Sequence, residues 1–464
     1  MEQNKLYYIT ENNKKATLTI DKFSLDVGTM KQIREIMLNP TVENPVFMPD
    51  VHAGIGSCVG LTCKLTDKIV PAFISGDIGC GISAYGLDDF DKLSTTYQQG
   101  YFINKMSMGQ IDDIIRNTIP IDNGRTHINE TIVVSSEDLD NTFYKACEIG
   151  HSFCKSYKNT FNVDINKYMP NYNLEWLKNT CLKIKSDFDY DMRCIGTPRG
   201  GNHYVEINKN DNDKYYLSTH CGSCNFGTKI YQYHQSKISD NNKLDWQNID
   251  EQMDNIKRKI KNPKQLKLIR DQIVEDARNN LHKCYLEGEE AYEYFFDMIF
   301  AQCYASLNRL IIIKRILTNI GYDMKNFIID NIIESVHNYI DFNDMIIRKG
   351  AIKLHKNEIG IVALNMRDGF LLVKSTDNEE IIKNWNYSCC HGCGRDYPRF
   401  MVKHKHDMSS YIKSMKNVYS KSIVNETLDE CPNAYRNPKI IIDALNNRVN
   451  ILDNYKTVIN IKGY

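Results

Sequence analysis

Asp77 and Cys80 stand three residues apart in GDIGCG (76–81), a glycine-framed turn that follows an apolar stretch. The Asp and the glycines suffice for a turn; the Cys is the residue that a turn does not explain. On so sharp a turn both side chains can face one point. A thiolate can bridge two divalent cations, and a carboxylate can complete the shell of one. Added imidazoles would make mixed S/N/O sites, which suit zinc, iron or manganese, with affinity alone favouring zinc over manganese. Metal sites with an open position act as Lewis acids and orient phosphates. The plainer reading of the hexapeptide is a buried Cys beside a turn-forming Asp.

Four of the twelve histidines sit where further ligands or a nucleophile could come from. His203 follows Gly-Gly-Asn, His220 ends a strand-like run and enters Cys-Gly-Ser, His337 precedes Asn338, and His391 opens HGCG after WNYSCC. A single His is more often structural than ligating, but three of these four adjoin glycine-rich loops, where backbone can approach a ligand closely.

The elements that must position these residues change character along the chain. TLTID (17–21) and PVFMPDVHAGIGSCVGLTCKL (45–65) read as strands punctuated by glycine. RCIGTPRGGNHYVEI (193–207) is a glycine loop followed by a strand, and YYLSTHCGSCNFG (215–227) is a strand followed by a glycine loop. Residues 105–160 are mixed. Residues 243–320 have helical spacing, predicting two or three helices, the last long and largely buried. IDNIIESVHNYI (329–340) is expected as a short helix carrying His337. Strand-like runs return over 350–390, including GIVALNM and FLLVKS. Helices are expected through SSYIKSMKNVYS and KIIIDALNNRVNIL, before a terminal strand in YKTVINIKGY. With no repeat and no low-complexity linker, the expectation is one α+β domain over 1–464: a central β core, surrounding helices and a helical insertion at 243–320.

The 464 residues carry 58 Lys and Arg against 58 Asp and Glu, a formal net charge of zero, with 42% hydrophobic and 25% charged residues. That is ordinary for a globular protein and argues against strong non-specific nucleic-acid binding by the whole surface. Two basic runs could still build a local channel, KRKIKNPKQLKLIR (257–270) and KHKHDMSSYIKSMK (403–416); the bland alternative is a solvated helix face. No apolar run reaches about 18 residues, so no membrane span is expected. The polar N-terminus lacks a signal core, which places the chain in the cytoplasm, or in the nucleus of a eukaryote. The 15 cysteines, odd in number and without framework spacing, read as reduced thiols.

Nine separated motifs keep a common order: MPDVHAGIGSCVG (48–60), GDIGCG (76–81), GTPRGGNHYVEI (196–207), HCGSCNFG (220–227), CYASLNRL (303–310), VHN (336–338), HGCGR (391–395), DECPNAY (429–435) and the terminal KG (462–463). In these the chain resembles the RtcB-type RNA ligases, over residues 48–463; ALNMRDG (363–369) and WNYS look closer to a shorter branch of that family. The resemblance implies two manganese ions held by Asp77, Cys80, His203, His220 and His337, with Cys80 bridging. It implies GTP as the second cofactor, with His391 attacking its α-phosphorus to give a histidine–GMP phosphoramidate. Asn202, His203, Glu206, His337, Asn338, Ala363, Leu364, Asn365, Met366, His391, Gly392, Cys393, Gly394 and Lys462 would line the guanylate pocket. The implied reaction joins an RNA 3′-phosphate or 2′,3′-cyclic phosphate to a 5′-hydroxyl through an activated RNA–pp–G end, in RNA repair or tRNA splicing. An archease-type activator is a possible partner, and a monomer is expected.

Some positions depart from the family pattern. HCGSCNFG stands for the usual HSGSRG, so Cys224 replaces a basic residue; Cys393 replaces a small Ala; ALNM (363–366) replaces PGSM; Pro398-Arg399 replaces Ser-Arg. None removes an implied ligand or the nucleophile. Loss of one phosphate-contacting Arg would weaken RNA binding by roughly 1–3 kcal/mol. The alternatives are a relative that self-guanylylates and caps 3′-phosphates or another acceptor without joining, and a non-catalytic RNA- or metal-binding relative.

Overall fold

A computed structural model describes residues 6–11, 14–87, 106–121, 134–241, 246–260, 262–280 and 284–463. Two large sheets form its centre. One runs in the order Tyr7–Glu11, Lys14–Leu18, Glu43–His52, Val59–Lys64, Ile346–Lys349, Asn338–Asp341. The other runs Ile332–Val336, Gly81–Gly86, Tyr215–Cys221, Tyr204–Lys209, Val449–Ile461, Phe370–Ser375, Ile359–Ala363, with every neighbour antiparallel. The edges of this second sheet approach each other: the Ile361 N–H donates to Ser335 Oγ at 2.9 Å, so the sheet is nearly closed. The fold is α+β.

The helix Glu289–Asn319 is the spine of the core. Its first two-thirds, including Phe295, Phe296, Ile299 and Phe300, pack with Phe47, Leu61 and Phe153. Its last turns, Ile312, Ile313 and Ile316, pack on Val205, Ile207, Leu217 and Ile459 of the second sheet. By length and apolarity this helix could cross a bilayer, but 83% of its most apolar window is buried inside the protein. It is a core helix. The other predicted helices of this section are Trp246–Lys259 and Pro263–Asn280, and part of the predicted section (243–245, 261 and 281–283) lies outside the described residues.

Three sequence expectations need correction. IDNIIESVHNYI is not a helix. After a short turn at Ile329–Asn331 it forms the strands Ile332–Val336 and Asn338–Asp341. Pairing with Gly81–Gly86 on one side and Ile346–Lys349 on the other satisfies its backbone, and its β-branched residues suit that state. His337 therefore sits where the chain passes from one sheet to the other. The helix predicted through KIIIDALNNRVNIL ends at Leu445, because Asn447 takes a left-handed φ of 62° and the strand Val449–Ile461 begins. The helix predicted through SSYIKSMKNVYS spans only Met408–Ser414. The mixed region 105–160 holds two helices, Met108–Thr118 and Ser136–Phe161.

Candidate metal centre and its cavity

GDIGCG connects to the strand Gly81–Gly86, and Cys80 N–H closes its turn on the Asp77 carbonyl at 3.2 Å. Glycine is required at two close approaches. Gly79 has φ 70°, and a Cβ there would lie 2.7 Å from Ala305 Cβ; at Gly222 a Cβ would lie 2.2 Å from Asp77 Oδ1. The core helix fastens the loops from below. Arg309, fully buried, donates to the carbonyls of Gly79 and Cys221 at 2.7 Å each and to Glu334 Oε1 at 2.8 Å. Asn308 accepts from the Gly196 and Thr197 N–H groups at 2.6 and 3.0 Å and donates to the Gly222 carbonyl at 3.1 Å. One helix turn thus registers the loops before His203, after His220 and around Cys80.

Five side chains converge above that turn. Cys80 Sγ lies 3.4 Å from His203 Nε2 and 3.3 Å from His220 Nε2. His203 Nε2 is 3.1 Å from Asp77 Oδ2, and His220 Nε2 is 2.9 Å from His337 Nε2. Asp77, Cys80 and His203 form one trio of donor atoms within 4.8 Å; Cys80, His220 and His337 form another. Cys80 belongs to both, which is the arrangement a bridging thiolate needs. The donor set fits divalent metals of intermediate softness. His203 Nδ1 bonds the Pro198 carbonyl at 2.8 Å, leaving Nε2 to face the cluster.

Burial pushes the titration of His220 and His337 well below the usual imidazole range, and neighbouring imidazoles add to the shift. Both rings are neutral and keep a lone pair for a cation. Burial, with the Asp77 carboxylate beside it, pushes the Cys80 thiol up; a bound cation would reverse that. Burial works to raise Asp77, but His203, Cys80 and His337 outweigh it and hold the carboxyl at about 2.

His391 lies beside this cluster, its ring centroid 4.6 Å from that of His337. Its Nδ1 is 2.7 Å from Asp50 Oδ2 and 2.8 Å from the Gly350 carbonyl. Two acceptors on Nδ1 fix the proton there and leave Nε2 as the free lone pair. Asp50 is fully buried, also accepts from the Gly392 N–H at 3.2 Å, and has Oδ1 unpartnered among the described residues. The sequence motif MPDVHAG contains Asp50 without assigning it a role; an acid flanked by Pro and Val in an apolar strand is its signal there. Lys349 was missed as well. It is buried at the cavity wall, donates to the carbonyls of Ile55 and Ala72 at 2.5 and 3.2 Å, and is pushed down to about 8 by burial.

A cavity of about 900 Å³ opens beside His391. Asn202, His220, His337, Asn338, Ala363, Leu364, Asn365, Met366, Gly392, Cys393, Gly394 and Lys462 line it, together with Tyr204, Arg395, Arg399, Glu430 and Tyr435. Two residues expected at the guanylate pocket do not line it. His203 lies on the far side of the cluster, and Glu206 is buried behind the wall, accepting from Asn208 and Asn460 at 2.8 and 2.7 Å. Asn365 lines the cavity, but its side chain is spent on its own turn, accepting from the Arg367 and Asp368 N–H groups at 3.0 Å each. Asn338 Oδ1 accepts from the Gly350 N–H at 3.0 Å and lies 3.2 Å from His337 Nδ1, so it positions both halves of the site.

The cavity carries a cationic group. Lys462 and Arg395 bond Glu430 at 3.3 and 3.2 Å, and Arg399 bonds it too. Burial works to raise Glu430, and Lys462, Arg399 and Arg395 overcome it, holding the carboxyl at about 2. Three cations against this carboxylate and that of Asp429, which Arg399 also bonds at 2.8 Å, leave one positive charge for an anionic ligand. Cys224, by contrast, packs inward, with Asn308 Nδ2 3.4 Å from its sulfur.

Comparison with known proteins matches this arrangement. The family described as tRNA-splicing ligase RtcB matches residues 32–463. RNA-splicing ligase RtcB1 of Escherichia coli (strain ATCC 25922) is 24% identical over 434 residues, covering 90% of this chain and 89% of that one. RNA-splicing ligase RtcB of Escherichia coli (strain K12) is 23% identical with the same coverage. RNA-splicing ligase RtcB2 of the first strain is 26% identical over 98 residues, 21% of this chain and 24% of that one. With its converging Asp, Cys and His side chains beside His391 and a family match across nearly its whole length, this chain belongs to the RtcB family.

Proposed function

We propose that this chain is an RNA ligase that joins 3′-phosphate or 2′,3′-cyclic phosphate ends to 5′-hydroxyl ends, using GTP and two manganese ions. The observation that carries the reading is the double trio sharing Cys80, with His337 of that cluster ring-to-ring with His391 at 4.6 Å. Family membership and the names of the relatives support RNA as substrate.

Asp77, Cys80, His203, His220 and His337 would hold the metals. When bound, two such cations supply Lewis acidity and neutralise phosphate charge. The chain's own residues do the rest. Asp50 and Gly350 keep the proton on Nδ1 of His391, so Nε2 is the nucleophile. Nε2 attacks the α-phosphorus of GTP; the N–P bond forms as the bond to the β-phosphate oxygen breaks, and pyrophosphate leaves. An oxygen of the RNA 3′-phosphate then attacks the same phosphorus, the N–P bond breaks, and the RNA–pp–G end forms. The 5′-hydroxyl of the second RNA attacks the 3′-phosphorus and GMP leaves. A cyclic phosphate is opened to the 3′-phosphate first. Lys462, Arg395 and Arg399 offer cations to the anionic ligand.

The test is incubation with α-labelled GTP and manganese, followed by RNA bearing a 3′-phosphate. Label on the protein that moves to RNA and yields a joined strand is the expected result, and His391→Ala abolishes the label. A parent chain that labels and transfers without joining would make it a capping relative instead. Full labelling of His391→Ala would remove His391 as nucleophile.

A further inference from the structure

The basic run 403–416 begins inside the helix Arg399–Lys405, which forms one lip of the cavity. Val402 faces inward, fully buried with Met366, Tyr411, Met415 and Leu428. Arg399 ties the start of the helix to Asp429 at 2.8 Å. Opposite Val402 the helix presents Phe400, Lys403 and His404, spaced i, i+3, i+4, which is one surface stripe. Phe400 is 74% exposed at the cavity's edge, and Lys403 and His404 are exposed. Among the described residues neither Lys403 nor His404 makes an ion pair. A large aromatic ring left in water next to an unpaired lysine and an exposed imidazole loses hydrophobic stabilisation and is unexplained by folding. Stacking on a base is a use that needs both features, because a nucleotide offers a π-face and an adjacent phosphate.

We propose that this lip is a platform for the unpaired nucleotide next to the RNA terminus: its base stacks on Phe400, and the phosphate on its far side meets Lys403 and His404. The proposal rests on the ligase reading, since it assumes that the RNA end enters the cavity toward His391. Continuity of the stripe with the cavity and its cationic character favour a nucleic-acid strand over a protein surface.

Binding of the full chain to a short single-stranded RNA with a 3′-phosphate, carrying a 5′ fluorophore, is followed by anisotropy. Phe400→Ala should weaken binding by about 5- to 150-fold, the range of one base–aromatic stack. Phe400→Trp should restore it. Removing the base of the nucleotide next to the end should weaken binding to the parent and leave Phe400→Ala no worse. Lys403→Ala should weaken all sequences alike and lower the salt slope by about one. Parent-like binding by Phe400→Ala overturns the proposal, as does an equal loss with and without the base. A changed sedimentation of Phe400→Ala with unchanged RNA binding would make the lip an interface between copies and also overturn it. Labelling of the parent with GTP is read alongside. A parent that does not label but loses RNA on Phe400→Ala keeps the platform and loses the ligase reading; a parent that labels while the variant binds normally does the reverse.

Discussion

His234 and Asp297 form, among the core helices, the pair that His203 and Asp77 form at the sheet ends: ring Nε2 to carboxylate Oδ2 at 2.8 and 3.1 Å. Around Asp297 the charges then close. Lys183 bonds it at 2.8 Å, and Glu293 is bonded by Lys183 and Lys237 at 3.0 and 2.5 Å. Burial works to raise Asp297, and His234 and Lys183 keep it low. Around Asp77 nothing of the kind happens. Two more imidazoles and a thiol crowd the same point, and among the described residues no Lys or Arg bonds the carboxylate. Identical residue types thus make a satisfied structural knot in one place and a set of donors aimed at a common centre in the other. What separates them is the presence of internal counter-ions, and the glycines that let backbone loops reach one point.

The sharpest break in that contrast is Cys80→Ala. It removes the atom common to both trios, so metal per chain by elemental analysis should fall by at least one ion, and GTP labelling should go with it. Unchanged occupancy would refute the bridging role. Asp50→Asn acts one step away. It leaves every ligand in place but weakens the hold on the Nδ1 proton, so labelling should slow by about 10²–10⁴-fold, the scale seen when a carboxylate that fixes an imidazole tautomer is neutralised. Its metal content should match the parent; a parent-like labelling rate would show that the Gly350 carbonyl alone suffices.

Asp297→Ala tests the other cluster. Leaving buried His234 without its acceptor, while half-buried Lys183 keeps Glu293, should cost about 1–3 kcal/mol of stability, read by urea unfolding, while the folded fraction binds as much metal as the parent. Reduced metal per folded chain would mean that the two clusters are not independent.

The reach of the sequence follows the same physics. Asp77, Cys80, His203, His220 and His391 stood out because glycine loops and turns surround them, and His337 through the family resemblance; these are the side chains that the structure brings together. Asp50 and Lys349 did not stand out, because each acts through a contact distant in sequence: Asp50 reaches His391, and Lys349 reaches the Ile55 and Ala72 carbonyls. The strand state of residues 332–341 was hidden for a similar reason, as IIESVHNYI is compatible with a helix until Gly81–Gly86 pairs with it. The helix Ser136–Phe161 was obscured because its buried face is built from Phe, Cys, Tyr, Ala and Gly150 rather than from Leu and Ile. Gly150 belongs there for packing, as a Cβ would meet Met169 Cε at 2.9 Å.

Glu206 extends the comparison to a carboxylate held by amides alone. It is buried, with Asn208 and Asn460 as donors, Lys462 and the Tyr204 ring nearby, and no direct cation contact among the described residues. Burial raises its carboxyl from an ordinary 4.5 to about 7, against the pull of Asn208, Asn460 and Lys462. A raised folded-state value means that the protonated form is the one folding favours. The associated stability is fully present below the unfolded value and is lost as pH rises through about 7. Over that window the parent should lose about 3 kcal/mol, and Glu206→Gln, which cannot ionise, should lose less. The variant has a partner waiting: Asn460 Oδ1 is buried without one among the described residues, and rotation of that amide lets it accept from the new NH₂. Urea unfolding of both chains from below pH 4.5 to above pH 7 decides it. Converging curves at low pH with the variant ahead at high pH are expected; parallel curves would show that Glu206 is ionised throughout and that Lys462 balances it across the wall.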